Sequence, residues 1–560
     1  MKKPSFTLKS LILFCLFAAG SFSLHAQSSE SYNDLAKGAF DKKNYDLCVE
    51  YCNKSILVSP GGWAYWERAA AYYNLGKYSL SAEDYGRTIP YYSDNSSLGK
   101  LYYNKGSCNY YDLKYKQAID DLNRAADYGY PDYKNLYWTR GNAYYFSQQH
   151  EKAISDFEKA LSYYSDSPKD KAKLYGFIAD SKSSLKNTDG ALEYYSKSVD
   201  TDPGYKSSYE KRAGIWADKK EYAKAKADIG KALQYSSEDV LGNYFDYSLY
   251  QKRSLYHYYL GEYEDGIRDA MEALKTDSSM TTYWRLGINY DGSGKLSQSV
   301  SAYRKAIAKA KDSTNRAILT RNISLVYKKM LDYRSAIKEI NTAITYRKNY
   351  KDAYWTRAEI LIAMKQYSAA LTDYDQCLKL YTESSSLASI YKERAELEYK
   401  TKDYDRAYYD YKKLLELFPE NVNYLYNAGR FLVQSKKDPA EGKDKLEKAA
   451  TLDLGIDTCS DYSYSKLFLG DITGAINNNF RLIDKYRNDP YQYKWKLHLQ
   501  CCIYSLSGNI PKAMEYMEKS LAAGFDDFDH LYTDRDLESI KNLPQYKALL
   551  AKYKSPVPKL

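Results

Sequence analysis

The stretch YWTRGNAYYFSQQHEKAISDFEKAL, residues 137–161, decides the fold of this chain. Tyr137, Trp138, Arg140, Gly141 and Tyr144 fall at helical spacing on one segment. His150, Ala153, Phe157 and Ala160 do so on a second, after a short polar turn. This predicts two amphipathic helices of roughly a dozen residues each. Gly141 and Ala153 are small because the helices cross there, and a larger side chain would push the backbones apart. Phe157 and Ala160 face the next unit. One such pair cannot bury its apolar face alone, so it needs stacked neighbours.

The neighbours are present in the sequence. Small residues recur every 33–41 positions: Ala36, Ala69, Gly106, Gly141, Ala179, Ala213, Ser254, Gly287, Ser324, Ala358, Ala395, Ala428, Ser463 and Cys501. They mark about fourteen units of a helical repeat array. The pattern weakens near the C-terminus. The unit around Ala428 carries about two extra residues, within Lys436–Pro439, before its second helix, and Asn479 stands where an aromatic is expected. The longest spacing runs from Ala213 to Ser254, which predicts an enlarged loop at residues 236–247 between two arrays, 27–235 and 248–525. Residues 526–560 read as a capping segment and tail. Leu537, Tyr546, Leu549 and Leu550 cover the last apolar face, as solenoids require.

The order aromatic, small residue, Tyr, turn, Tyr, Ala, aromatic, Ala resembles the tetratricopeptide repeat family. It stands as Tyr65-Trp66-Glu67-Arg68-Ala69 with Tyr72, Tyr78 and Tyr85, and as Tyr354-Trp355-Thr356-Arg357-Ala358 with Tyr367, Ala370 and Tyr374. Pro60, Pro203 and Pro419 stand where such repeats often close. The resemblance covers residues 29–525. It implies an all-α, right-handed α-solenoid of about fourteen helix-turn-helix units with a C-terminal capping helix segment. It also implies that the first helix of each unit lines a concave groove, through slots −3, +1, +4 and +5 from the small residue. Some members grip a C-terminal carboxylate with Lys and Asn one helical turn apart. Here Lys392 precedes Glu396 and Trp138 precedes Asn142, so that clamp is absent.

A second recurrence supports the register. Arg68, Arg140, Arg212, Arg253, Arg357 and Arg394 each precede an aspartate by sixteen residues: Asp84, Asp156, Asp228, Asp269, Asp373 and Asp410. Lys105 and Asp121 are a lysine version. Units without the base mostly lack the acid too, as at Leu35/Tyr51, Ile178/Tyr194 and Leu286/Ala302. The offset predicts an ion pair between the two helices of a unit, with the arginine fork holding a carboxylate bidentately. Repetition marks the pairs as structural, because a catalytic site is normally single.

Lys2, Lys3 and Lys9 precede an apolar run from Leu11 to Ala19, and Leu24-His25-Ala26 precedes Gln27. This reads as a secretory signal peptide, residues 1–26. It places the mature chain outside the cytoplasm: periplasm, outer-membrane periphery or medium. The run is too short for a membrane span, and no later segment reaches that length. Phe14 before Cys15 argues against a lipoprotein cleavage site. Seven cysteines follow the leader: Cys48, Cys52, Cys108, Cys377, Cys459, Cys501 and Cys502. Their odd number argues against a full disulfide framework. His150, His257, His498 and His530 are scattered, and Cys48 and Cys52 have no nearby histidine. No phosphate loop, nucleophile elbow or dinucleotide fingerprint is present. The sequence therefore predicts no catalytic residue, no metal site and no cofactor.

Two stretches are candidates for binding. In the units around Ala69, Gly106 and Gly141, the groove slots hold Trp66, Tyr73, Asn74, Tyr103, Tyr110, Tyr111, Trp138, Asn142, Tyr145 and Phe146. Rings with interspersed amides can stack on a peptide or sugar, or on one another. Second, residues 304–351 hold 13 basic and 3 acidic residues, with Arg321, Lys328 and Lys329 in groove slots. The whole chain is +10, falling to +7 without the leader, so the remainder is slightly acidic. The basic stretch would attract an acidic tail, an anionic glycan or a phosphate-rich surface; an exported protein seldom meets nucleic acid first. The sequence thus points to a non-enzymatic scaffold of the bacterial envelope that binds proteins or peptides. The alternative is a glycan- or peptidoglycan-binding module using the aromatic slots.

Overall fold

A computed structural model describes residues 28–164, 166–236, 246–435, 437–452 and 460–554. The predicted leader, most of the loop at 236–247, and Cys459 lie outside the described residues. The chain divides into two compact units, residues 1–294 and 295–560.

Among the described residues, the first unit contains seven complete helix pairs. They open with Ser29–Asp41 and Tyr45–Val58, and end with Tyr247–Tyr259 and Tyr263–Leu274; the helix Met280–Gly292 follows. The second opens with the helix Leu296–Lys309 and continues through six pairs, from Ser313–Lys329 with Tyr333–Tyr346 to Pro490–Leu506 with Ile510–Ala522. Phe528–Thr533 and Pro544–Lys554 follow the last pair. Within each unit, consecutive helices pack together. First helices of successive pairs also touch, as Asn95–Tyr111 does Tyr133–Phe146, and as Ser460–Phe468 does Pro490–Leu506. This is the expected all-α solenoid of helix-turn-helix units.

The small residues sit where packing demands them. A Cβ on Gly141 would stand 2.7 Å from the Phe157 ring, and one on Gly106 would stand 2.7 Å from Leu122 Cγ. Ala69, Ala179, Ala213, Ala358, Ala395 and Ala428 have no exposed surface. The turn between the two helices of a pair is equally regular. Seven residues after the small one, the backbone takes positive φ: Lys43, Gly76, Leu113, Gln148, Lys186, Lys220, Gly261, Gly294, Leu331, Lys365, Lys402, Gly470 and Gly508. At Leu113, φ is 61°; its N–H donates to the Tyr110 carbonyl, and the Lys114 N–H donates to that of Asn109. These bonds satisfy carbonyls that the end of the helix leaves open.

The ion pairs form as the offset predicts. Arg140 donates from Nε to Asp156 Oδ2 at 2.7 Å and from Nη2 to Oδ1 at 2.9 Å. The same fork holds Asp84, Asp228, Asp269, Asp373 and Asp410, and Lys105 Nζ reaches Asp121 at 2.8 Å. Two further contacts were not foreseen. The tyrosine three residues before each arginine lies 5.4–5.8 Å from its guanidinium carbon. In several units Nη1 also reaches back to the preceding pair: Arg68 to Asn53, Arg140 to Asn123, Arg212 to Ser196, Arg357 to Asn341. Each fork therefore ties a pair together, and those four also tie it to the preceding pair.

The end of the second unit departs from the ring-based core. Asn479 is fully buried, and its amide donates to the Lys496 carbonyl and to Gln500 Oε1, both at 2.9 Å. Beyond it, Leu531, Leu537, Ile540, Tyr546 and Leu550 join Cys501, Met517, Leu521 and Phe525 in one core. The capping segment closes the last apolar face.

Candidate interaction site

The aromatic slots separate into two classes. The −3 rings rest on a tyrosine in the loop after the second helix of their own pair: Trp66 on Tyr92 (centroids 5.4 Å apart), Tyr103 on Tyr130 (4.3 Å), Trp138 on Tyr164 (5.3 Å). These rings are half-buried, and their position is structural. The +4 and +5 rings form a ladder across successive pairs. Tyr73 and Tyr111 meet edge-on at 5.9 Å, Tyr111 stacks on Tyr78 at 5.1 Å, and Tyr110 touches Tyr111. Phe146 stacks on Tyr115 at 5.4 Å and touches Tyr110 and Tyr145. Within this ladder Tyr73, Tyr111 and Phe146 remain 37%, 49% and 48% exposed.

Tyr73, Tyr103, Ser107, Tyr111 and Thr139, from three successive first helices, line one cavity of about 200 Å³ with Tyr85 and Asn104. Burial raises the phenols of Tyr73 and Tyr103 above their ordinary range, so both present neutral hydroxyls. Of the two candidate amides, Asn74 is exposed and donates to the Ala70 carbonyl, whereas Asn142 is buried and its Oδ1 has no hydrogen-bond partner. Asn142 is therefore not on the exposed face.

The basic stretch is less available than its composition implies. Arg321 donates to the Asp352 carbonyl and to Thr356 Oγ1, and Lys328 pairs with Glu359 at 2.8 Å. Arg304 pairs with Glu339 at 2.7 Å and Lys351 with Glu383 at 3.1 Å. Lys329 is exposed. Four cations of the stretch, Arg304, Arg321, Lys328 and Lys351, are thus matched by carboxylates, a carbonyl or a hydroxyl one repeat away.

The same slots are used differently at the end of the second unit. Arg535, just past the helix Phe528–Thr533, donates from Nη1 to the Tyr399 carbonyl at 2.7 Å and from Nη2 to the Lys400 carbonyl. Its guanidinium lies 4.9 Å from the Tyr399 ring centre, and that of Arg430 lies 4.5 Å from it. Asp536 adds its charge beside Arg430 and bonds the Tyr464 hydroxyl. Asp534 accepts from His498 Nε2 at 3.0 Å. Tyr399 and Lys400 are +4 and +5 from Ala395, Tyr464 is +1 from Ser463, and His498 and Cys502 are −3 and +1 from Cys501. The segment 530–536 thus lies across slots assigned to the groove in three of the last four pairs, and beside Arg430 in the other. His530, Asp534, Arg535 and Asp536 line a cavity of about 290 Å³ there with Tyr399, Lys400 and Arg430.

These features define an all-α protein built of repeated helix pairs. Residues 135–167, 172–205 and 351–383 match the tetratricopeptide repeat model, so the chain carries tetratricopeptide repeats. No curated protein matches it. Among solved structures it is similar to YrrB, described as a TPR protein with an unusual peptide-binding site (17% identity, 38% of this chain and 97% of that one, TM-score 0.31). It is also similar to a tetratricopeptide repeat protein from Parabacteroides merdae (16% identity, 47% and 98% covered, TM-score 0.36). The APC/C hetero-tetramer Cut9–Hcn1 spans nearly the whole chain (12% identity, 98% and 99% covered, TM-score 0.30). Among the described residues, no helix is long and apolar enough to cross a membrane.

Proposed function

We propose that this chain is a non-enzymatic scaffold that holds an extended segment of a partner protein across the first-helix face of its N-terminal repeats. One observation carries the reading. The chain's own segment 530–536 occupies slots −3, +1, +4 and +5 of its last repeats. The face is therefore built to hold a peptide, and in the second to fourth pairs it presents Tyr73, Tyr111 and Phe146 instead. Partly exposed, pre-packed rings are low-entropy anchors for such a segment. The leader-like residues 1–26 favour a setting in the bacterial envelope, with partners drawn from envelope or secreted proteins.

Display selection of random peptides on the full chain tests this. Selected peptides should lose at least about tenfold in affinity in Tyr111→Ala/Phe146→Ala, since a buried aromatic anchor contributes about 2 kcal/mol or more. Selected peptides that ignore these substitutions would refute the site. Competition by soluble peptidoglycan fragments at the same residues would move the assignment to a glycan. Fractionation with N-terminal sequencing should find the chain outside the cytoplasm, starting at Gln27; a cytoplasmic chain starting at Met1 would overturn the envelope assignment.

A further inference from the structure

We propose that His498, Cys502, Asp534 and His530 form a zinc site that fastens the capping segment to the first helix of the last pair. His498 and Cys502 are four residues apart on the helix Pro490–Leu506, and His530 and Asp534 are four apart at the helix Phe528–Thr533. His498 Nε2 lies 3.0 Å from Asp534 Oδ2 and 3.5 Å from Cys502 Sγ, and the thiol lies 3.6 Å from the same oxygen. With zinc bonds of about 2.0–2.1 Å to nitrogen or oxygen and about 2.3 Å to sulfur, the edges of a tetrahedron are about 3.3 Å and about 3.5 Å. The three donor atoms therefore already form one face of such a tetrahedron. His530 Nε2 lies 3.4 Å from the same Asp534 oxygen and would become the fourth ligand once its ring turns toward the other two donors.

Two other readings fit less well. A Cys-His-Asp nucleophilic triad needs the base to use its two nitrogens for two partners. Here both Cys502 and Asp534 approach Nε2, and Nδ1 of His498 has no hydrogen-bond partner. Cys502 is also almost wholly buried, so no substrate reaches it. In a purely hydrogen-bonded cluster His498 Nε2–H and the Cys502 thiol would both donate to the one oxygen Asp534 Oδ2, whereas a cation at the centre engages all three atoms directly. Mixed sulfur, nitrogen and oxygen donors suit a borderline ion and not calcium or magnesium. A thiolate, a carboxylate and two neutral imidazoles also balance a divalent charge, as burial requires. The consequence is mechanical. Arg535 and Asp536 directly follow the ligand Asp534, so the ion would hold in place the segment that crosses the groove face of the last repeats.

The full chain, purified without a polyhistidine tag, should retain one zinc per molecule after dialysis. Cobalt substituted for zinc should show tetrahedral d–d bands and a thiolate charge-transfer band. Cys502→Ser and His498→Gln should lose stoichiometric zinc and the charge-transfer band, while Cys501→Ser, at the adjacent buried thiol, keeps both. Chelation should raise amide exchange in residues 528–536. Substoichiometric zinc in the folded wild-type chain, an octahedral cobalt spectrum without the thiolate band, or unchanged loading in Cys502→Ser would overturn the proposal. The wild-type measurements decide it even where a variant fails to fold.

Discussion

The Arg140–Asp156 pair offers the sharpest test of how the array is held together. Asp156 is 3% exposed, and Arg140 gives it two bonds, a third to Asn123, and its flat face to Tyr137 at 5.5 Å. Replacing Arg140 by Leu leaves a buried carboxylate without its partner, which costs about 3–5 kcal/mol. Replacing both residues by Leu removes that charge, so the double variant should recover about half or more of the loss. Global melting is a poor readout, because a repeat array unfolds in parts. Hydrogen exchange of the helices Tyr133–Phe146 and His150–Leu161 reads the local stability directly. Arg140→Leu should lower protection there by about two to four orders of magnitude, at about 1.36 kcal/mol per factor of ten. The helix Tyr115–Asp127 should loosen as well, because it loses the bond at Asn123. A double variant no better protected than the single one would refute the reasoning, as would an Arg140→Leu chain that exchanges like wild type.

Two further outcomes follow from the geometry. Leu113 and Leu331 hold φ near +60° and are each 70% exposed. Glycine relieves about 1–2 kcal/mol of left-handed strain and costs about 0.5–1 kcal/mol of chain entropy, so Leu113→Gly and Leu331→Gly should slow local exchange; faster exchange in both would contradict this. Burial, with Asp410 nearby, pushes the Glu398 carboxyl from 4.5 up to about 8. Between those values the folded chain keeps a proton that the unfolded chain has released, so stability falls as pH rises from about 4.5 to about 8. Glu398→Gln should match wild type near pH 5 and exceed it at pH 8 by no more than about 3 kcal/mol; a melting-temperature difference that does not change with pH would disprove the shift.

What could be read from sequence was whatever repeats within one unit. Gly141 and Phe157, or Arg140 and Asp156, lie sixteen residues apart in every copy of the pattern, so a periodic spacing exposes them. The left-handed turn seven residues after each small residue was hidden, because Lys, Leu and Gln fill it as well as Gly. Four cations of the basic stretch are less free than its composition implies, for a physical reason. Counting charge along the chain samples sequence neighbours, but the nearest neighbours in a solenoid lie one repeat away. Lys328 meets Glu359 and Arg304 meets Glu339 over 31 and 35 residues. The histidines looked scattered for the same reason: His498 and His530 are 32 positions apart and share one carboxylate oxygen. Nothing periodic announces Arg535, which bonds a backbone carbonyl 136 residues earlier.

The departures from the repeat rule are not random. In the early pairs the groove slots carry rings that pack on one another. In the last pairs they carry Tyr399, Lys400, Tyr464, His498 and Cys502, whose polar atoms meet the capping segment. A polar group buried without a partner is costly, so the buried His498 and Cys502 fit because a polar chain segment covers them, while Tyr399 and Lys400 meet it through backbone carbonyls. An apolar cap would have left Arg430 beside Tyr399 with no carboxylate nearby, and the actual segment supplies Asp536. The loss of the aromatic pattern toward the C-terminus is therefore not decay of the repeat. It is the counterpart, on the array, of the sequence Asp534-Arg535-Asp536. In the early pairs Tyr73 packs on Tyr111 and Phe146 on Tyr110, and Tyr73, Tyr111 and Phe146 keep their rings partly exposed.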